Sequence, residues 1–494
     1  MIRSRYASEM ECIDLKGRIV LPGLTDAHIH LEKYALGLRK VDCETDTIQE
    51  CLRRVAERRR SASTAEWVLG HGWNQNVWQD GFGTAADLDK VSPGNPVYLT
   101  AKSLHAAWAN TVALRLANIT ATTPDPADGK LGRNADGSPN GILYEGAMEL
   151  VANVIPAPTS EQLSAAILEA QKSLWQMGIT GVHDFDRRRC FVVLQDLRER
   201  DKLRLRVLKS IPLEDLPSAV SLGLRSGFGD EWVRIGGVKI FMDGALGPQT
   251  AAMIHPYDGY PESRGMLFMD SEELLEHGKT AVESRISLAV HAIGDRANHE
   301  LLDAFAQLRE YEQQINLSQK PALRHRIEHV QLLHPDDVGR LAQLGVIASM
   351  QPIHATSDML MADRFWGDRS RYAYAWQLQL QHGATLAFGS DAPVESPNPF
   401  WGIHAAVTRR RIDGSPGVDG WYPQERISLM DALRAYTIGP AFGAGWEHDL
   451  GKLANGCLAD LIILENDPFE IPVEELHNLR PCGVMVNGEW VVDF

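Results

Sequence analysis

The chain holds 494 residues, 44% of them hydrophobic, with a formal charge of -16. This is a soluble globular composition, long enough for one large domain and a smaller one, and its acidic balance excludes nucleic acid, whose phosphates it would repel. No apolar run approaches the roughly 20 residues that cross a bilayer, and the opening MIRSRYASEMECIDLKG lacks the apolar stretch of a signal peptide, so a cytoplasmic protein without membrane contact is expected.

In chain order, eight short, apolar, β-branched stretches read as strands: Ile19–His30, Ile179–Phe185, Leu203–Ile211, Ile235–Met242, Ser287–His291, Leu323–His329, Val346–Gln351 and Ala384–Asp391. Helical patterns follow most of them, as in Arg296–Glu310, Pro335–Leu344 and Tyr372–His382. Eight strand-then-helix units predict an α/β fold of the (β/α)₈ TIM-barrel type, covering residues 19–444.

Between the first two strands, about Tyr34 to Gln176, lies a segment too long to be a bare loop. Its helical stretch Thr47–Arg60 and strand-like Trp67–Gly70 and Val97–Thr100 predict an inserted subdomain over the barrel mouth. After about Gly445 come the short strand patterns Asp460–Leu464, Gly483–Val486 and Trp490–Val492, the last two around an Asn487-Gly488 turn. A small, truncated β domain is expected from residues 1–18 and 445–494.

Cys12, Cys43, Cys51, Cys190, Cys457 and Cys482 show no C-x-x-C spacing, which argues against a disulfide framework or a cysteine zinc site. The arginine runs 58–60, 187–189 and 409–411 read as solvated helix faces.

The chemistry gathers at strand ends, where barrel active sites form. Asp26-Ala-His28-Ile-His30 closes the first strand, and residues two apart on a strand share a face. His291, His329 and Asp391 close three further strands. Neutral imidazoles with a carboxylate suit zinc or a similar divalent ion. Lys239 sits in an otherwise apolar strand. It reads either as a buried lysine paired with Asp243 or as a desolvated amine that carbon dioxide converts to a carbamate bridging two ions.

Taken together, Pro22-Gly-Leu-Thr-Asp26-Ala-His28-Ile-His30, Val238-Lys239-Ile-Phe, His291-Ala-Ile-Gly-Asp295-Arg, Arg326-Ile-Glu-His329 and Gly389-Ser-Asp391-Ala-Pro-Val resemble the amidohydrolase superfamily, and most closely its amidohydrolase-3 branch. The resemblance covers nearly the whole chain. It implies that His28, His30 and Asp391 hold one Zn²⁺, that His291 and His329 hold a second, and that a carboxylated Lys239 bridges them. It also implies hydrolysis of an amide-type C–N bond, in an N-acyl or N-formyl amine, by a metal-bound hydroxide, with Asp391 as the catalytic base.

The chain departs from the family pattern in three places. Only 27 residues precede His28, and Ser103-Leu104 stands where relatives carry Asp-Gly. The third is Lys102 beside it, which reads as a surface lysine. Trp73, His105 and Trp108 in the insertion are the candidate substrate contacts, and an apolar, aromatic substrate group is expected, with a homodimer as the default assembly. The alternatives are a one-metal deaminase, using His28, His30, His291 and Asp391, and a non-catalytic regulatory homologue.

Overall fold

The computed structural model describes residues 13–494 except 76, 80, 104 and 317–321. The chain forms two compact units, one from Met1–Tyr34 with Ile167–Phe494 and one from Ala35–Ala166. Among the described residues no helix is long and apolar enough to cross a membrane.

In the larger unit, eight parallel strands run in chain order: β1 (Leu24–Ile29), β2 (Ile179–Asp184), β3 (Arg206–Pro212), β4 (Val233–Phe241), β5 (Leu288–Ala292), β6 (Arg326–His329), β7 (Ile347–Met350) and β8 (Leu386–Phe388). The ring closes where Ile29 bridges Ala392 in parallel. There the Asp391 amide donates to the His28 carbonyl at 2.7 Å and the His30 amide to the Ala392 carbonyl at 2.9 Å. The result is the expected (β/α)₈ barrel, and Val182, Val207, Val238, Val290 and Ile327 are buried in its strands. Connecting helices start on polar caps. Asp270, for example, accepts the Glu273 amide at 2.9 Å to begin Ser271–Glu283.

The first predicted strand is in fact two. Ile19–Pro22 pairs antiparallel with Leu461–Leu464, and only Leu24–Ile29 enters the barrel. Gly23 makes the crossing, because a Cβ there would lie 2.2 Å from Thr180 Oγ1. Pro481–Val486 and Glu489–Val492 complete this four-stranded sheet, joined by Asn487-Gly488 with both φ positive. The small sheet therefore takes its N-terminal strand from residues 19–22, and its first C-terminal strand begins at Leu461. Buried Arg206 at the start of β3 forks onto Asp460 at 2.5 and 2.8 Å, tying this sheet to the barrel.

The second unit is a six-stranded mixed sheet with the helix Ile48–Ser61, which Thr47 caps through the Glu50 amide. It ends at Ala166 rather than near Gln176, since the rest of the helix Ser160–Gln176 buries Ile167, Ala170 and Leu174 in the larger unit.

One arginine run departs from its expected role. Arg409 is fully buried, its guanidinium 4.4 and 4.8 Å from the Trp376 and Trp421 rings, and it donates to the Trp421 and Tyr374 carbonyls at 2.8 Å. A planar, weakly hydrated guanidinium tolerates such a slot.

Candidate metal centre

The strand ends bring the predicted ligands together. His28 and Lys239 lie within β1 and β4, His30 just past β1, His291 in β5, His329 at the end of β6 and Asp391 just past β8. His329 and Asp391 take positive φ of 78° and 59°, a strained geometry for non-glycine residues that re-aims a side chain at a strand end. Asp26 locks the seam between β1 and β8. It accepts the His28 and Ser390 amides at 3.0 Å and the Ser390 hydroxyl at 2.5 Å, while burial pushes its carboxyl up to about 7. Gly389 allows this approach, since a Cβ there would meet His28 N at 2.4 Å.

Three of the four predicted histidine ligands are held from behind by an oxygen that accepts, and the fourth, His30, stands beside a carboxylate. His28 Nδ1 lies 2.6 Å from Glu328 Oε2, and His30 Nδ1 3.3 Å from Asp186 Oδ1. His291 Nε2 lies 2.9 Å from the Gly244 carbonyl, and His329 Nδ1 2.8 Å from Gln351 Oε1. An acceptor keeps the ring proton on the outer nitrogen and leaves the inner lone pair free for a metal.

His28 Nε2 and His30 Nε2 stand 3.6 and 3.5 Å from Asp391 Oδ1, and the ligand atoms of these residues lie within 4.8 Å of one another. The His291 and His329 rings are 4.6 Å apart. Burial and then the Lys239 charge hold His28 well below its usual range and His291 down to about 3, and burial likewise lowers His329. These rings stay neutral, the form that binds metal.

Lys239 is buried, with Nζ 4.7 Å from both the Phe185 and Phe241 rings. Burial brings its amine down to about 8. It is not paired with Asp243, which instead accepts the Ala252, Ile293 and Gly294 amides at 2.9, 3.0 and 2.8 Å. A converging set of imidazoles, a carboxylate and a lysine low enough to be partly neutral fits one or two divalent ions.

Behind the ligands lies a buried polar network. Burial raises Glu328, but the Arg326 and Lys239 charges outweigh it and leave its carboxylate below the usual range. Asp184, Asp186 and Cys190 also cluster. Lys209 pairs with Asp184 at 2.8 Å and bonds the Asp186 carbonyl, and burial keeps the Cys190 thiol protonated.

The tryptophans proposed as substrate contacts are packed inside the second unit. Trp73 and Trp108, 1% and 0% exposed, belong to the apolar core of the second unit with Trp78 between them, and their indole N–H groups donate to the Leu99 and Thr84 carbonyls. Aromatic side chains of this kind pack rather than bind. His105 is exposed and faces Glu145 at 3.0 Å, and Lys102 is a surface lysine paired with Glu44.

Sequence reasoning missed four residues at the centre. Asp186 follows the end of β2 and Phe241 ends β4, positions that the strand-end rule covers. Glu328 sits inside the Arg-Ile-Glu-His motif, and His354 follows β7 by four residues.

Residues 11–492 match the amidohydrolase family, in its amidohydrolase-3 group. LONG AFTER FAR-RED 3 of Arabidopsis thaliana is 35% identical over 93% of this chain and 80% of its own length. The N-substituted formamide deformylase of Arthrobacter pascens is 27% identical over 99% of this chain and 91% of its own. An uncharacterized metal-dependent hydrolase from Pyrococcus furiosus superposes with a TM-score of 0.77 at 30% identity, covering 95% of this chain and 92% of that one. With the family pattern running across nearly its whole length, the chain belongs to the amidohydrolase family, in the amidohydrolase-3 branch, as a hydrolase dependent on a divalent metal.

Proposed function

We propose that this protein hydrolyses the C–N bond of an N-formyl or N-acyl amine whose substituent is apolar and of aromatic size. His28, His30 and Asp391 would hold one divalent ion, zinc by donor chemistry, and His291 and His329 a second. Lys239 would bridge them as a carbamate, formed when its neutral amine adds to the carbon of carbon dioxide and releases a proton. Ions bound there acidify water and polarise a carbonyl.

The observation that carries this reading is the shared back-side support of the histidines: three have an acceptor oxygen behind them and His30 stands beside a carboxylate, so their free lone pairs and the Asp391 carboxylate serve one place. Asp391 is the base that takes the proton of the attacking water and then, as acid, gives it to the leaving nitrogen.

Phe241 supports the apolar substrate group. Its ring lies 5.2 Å from the His291 ring, yet the residue is 48% exposed, and Phe268 on the following loop is 55% exposed. Apolar surface beside reacting groups favours a substrate that covers it. The relative named as a deformylase of N-substituted formamides fits the same substrate class.

The test joins composition to turnover. Protein purified without chelator and with bicarbonate is expected to carry two ions per chain and a mass gain of one carbon dioxide that Lys239→Ala abolishes. It is also expected to release formate from N-benzylformamide. One ion on an unmodified lysine would favour the deaminase chemistry, and metal-loaded protein inert towards a panel of formyl and acyl amides would refute the substrate class.

A further inference from the structure

His354 stands beside the histidines described above and differs from all of them. It is the third residue of the helix Pro352–Trp366, is 6% exposed, and stacks on His329 with centroids 6.0 Å apart and planes 14° from parallel. A ring nitrogen of His354 lies within 4.8 Å of the ligand atoms of His329 and Asp391. Proximity alone would make it another ligand.

The group behind it says otherwise. His28, His30, His291 and His329 each face an acceptor: two carboxylates, a backbone carbonyl and an amide oxygen. His354 Nδ1 faces Gln331 Nε2 at 3.5 Å. An amide nitrogen only donates, so with Gln331 in this orientation Nδ1 accepts and the ring proton is placed on Nε2. The stacked pair therefore carries opposite tautomers, with a bare Nε2 on His329 and a protonated Nε2 on His354. Among the described residues the buried His354 Nε2 has no hydrogen-bond partner. A buried donor without an acceptor is costly in a folded protein and marks a place where a ligand supplies one.

We propose that His354 is a hydrogen-bond donor to the substrate rather than a metal ligand, its Nε2–H meeting the carbonyl oxygen of the scissile bond as negative charge grows there. No bond to His354 forms or breaks, and the proton stays on Nε2. A donor fixed at the oxygen that gains charge strengthens in the transition state, so its effect falls on kcat. Which oxygen it meets rests on the hydrolytic reading above; the tautomer does not.

Three measurements on the full-length, metal-loaded protein test the inference. Nitrogen-15 spectra of histidine-labelled protein, with His354 identified by its loss in His354→Gln, are expected to show Nε2 protonated and Nδ1 bare; a bare Nε2 would overturn the proposal. The metal content of His354→Ala and His354→Gln is expected to equal that of wild type, whereas loss of an ion would make His354 a ligand. With an N-formyl amine that wild type cleaves, His354→Ala should lower kcat about 10²–10³-fold at little change in KM. His354→Gln, which keeps an N–H donor, should recover part of that loss. Wild-type kcat in His354→Ala would also overturn the proposal. If wild type cleaves no amide, the hydrolytic reading falls, and the spectra and metal content still decide between donor and ligand.

Discussion

Replacing Glu328 by Gln keeps the shape of the side chain and removes its charge, and two separable losses follow. The Glu328 carboxylate is fully buried. It takes His28 Nδ1 at 2.6 Å and the Ser349 hydroxyl at 2.6 Å, and its Oε1 lies 2.5 Å from Arg326 Nε. Losing the outer partner of a metal-binding histidine typically weakens metal binding about 10- to 100-fold, or about 1.4–2.8 kcal/mol. The second loss concerns Arg326, which stays buried with only neutral partners: His183 Nδ1 at 2.7 Å, the Ala27 carbonyl at 2.6 Å and the Ser349 hydroxyl at 2.5 Å. Breaking a buried pair from one side costs about 3–5 kcal/mol, and the three surviving contacts place this case near about 3 kcal/mol. Urea unfolding of metal-free Glu328→Gln reads the second loss alone. At a fixed excess of metal the deficit should grow by the binding loss, because a ligand of the folded state adds its binding energy to stability. Competition with a chromophoric chelator measures that affinity directly. Metal affinity within twofold of wild type, with unchanged urea midpoints, would refute the reasoning.

Four further outcomes are expected. Asp391→Asn should lose about 10²–10⁴-fold in kcat while metal still binds, as expected for a base; full turnover on metal-loaded protein would remove it from that role. Phe241→Ala should forfeit about 1.5–3 kcal/mol of apolar contact, roughly a 10- to 150-fold fall in kcat/KM for N-benzylformamide with formamide itself little affected; equal falls for both would dismiss the apolar wall. Trp73→Ala should leave the ranking of aryl and alkyl amides untouched while destabilising the second unit by about 3–5 kcal/mol, as read by urea unfolding; a changed ranking would restore it as a substrate contact. His404 is buried 5.1 Å from the His477 ring, and burial, then the His477 and Arg410 charges, lower it to about 4. The unfolded chain therefore takes up the proton first as pH falls, so stability is full above pH 6.5 and declines towards pH 4, by up to about 3 kcal/mol. His404→Gln should flatten that decline in urea titrations, and an unaltered slope would rule His404 out as its source.

The barrel was legible because all eight strands carry a short apolar, β-branched run and four of them add a ligand-type residue at the C-terminal end, His30, His291, His329 and Asp391. The stretch Ile19–His30 misled for a physical reason. Apolar β-branched residues suit either sheet, and only the close approach at Gly23, invisible to propensity, moves the chain from one to the other. The helix Ser160–Gln176 misled similarly, since one continuous amphipathic pattern serves two units. The tryptophans show a further limit. Trp73, Trp78 and Trp108 lie in a segment expected to carry binding, but the size that suits an aromatic side chain to a pocket suits it equally to a core.

What the sequence could not supply was the partner behind each ligand. Glu328 reaches His28 from 300 positions away, and Gln351 lies 22 beyond His329. No local pattern encodes such pairs, and yet they decide which ring nitrogen carries the proton. Arg326 and Glu328 are buried charges that a chain needing only its fold would do as well or better without, since apolar replacements of such pairs are often neutral or stabilising. Arg326 holds Glu328, and Glu328 holds His28, an arrangement with a physical rationale if His28 presents its lone pair to an ion. The same reasoning weighs against a purely regulatory remnant. Such a protein would need the barrel, but neither the accepting oxygens behind His28, His291 and His329 nor a buried lysine brought down to about 8 in their midst.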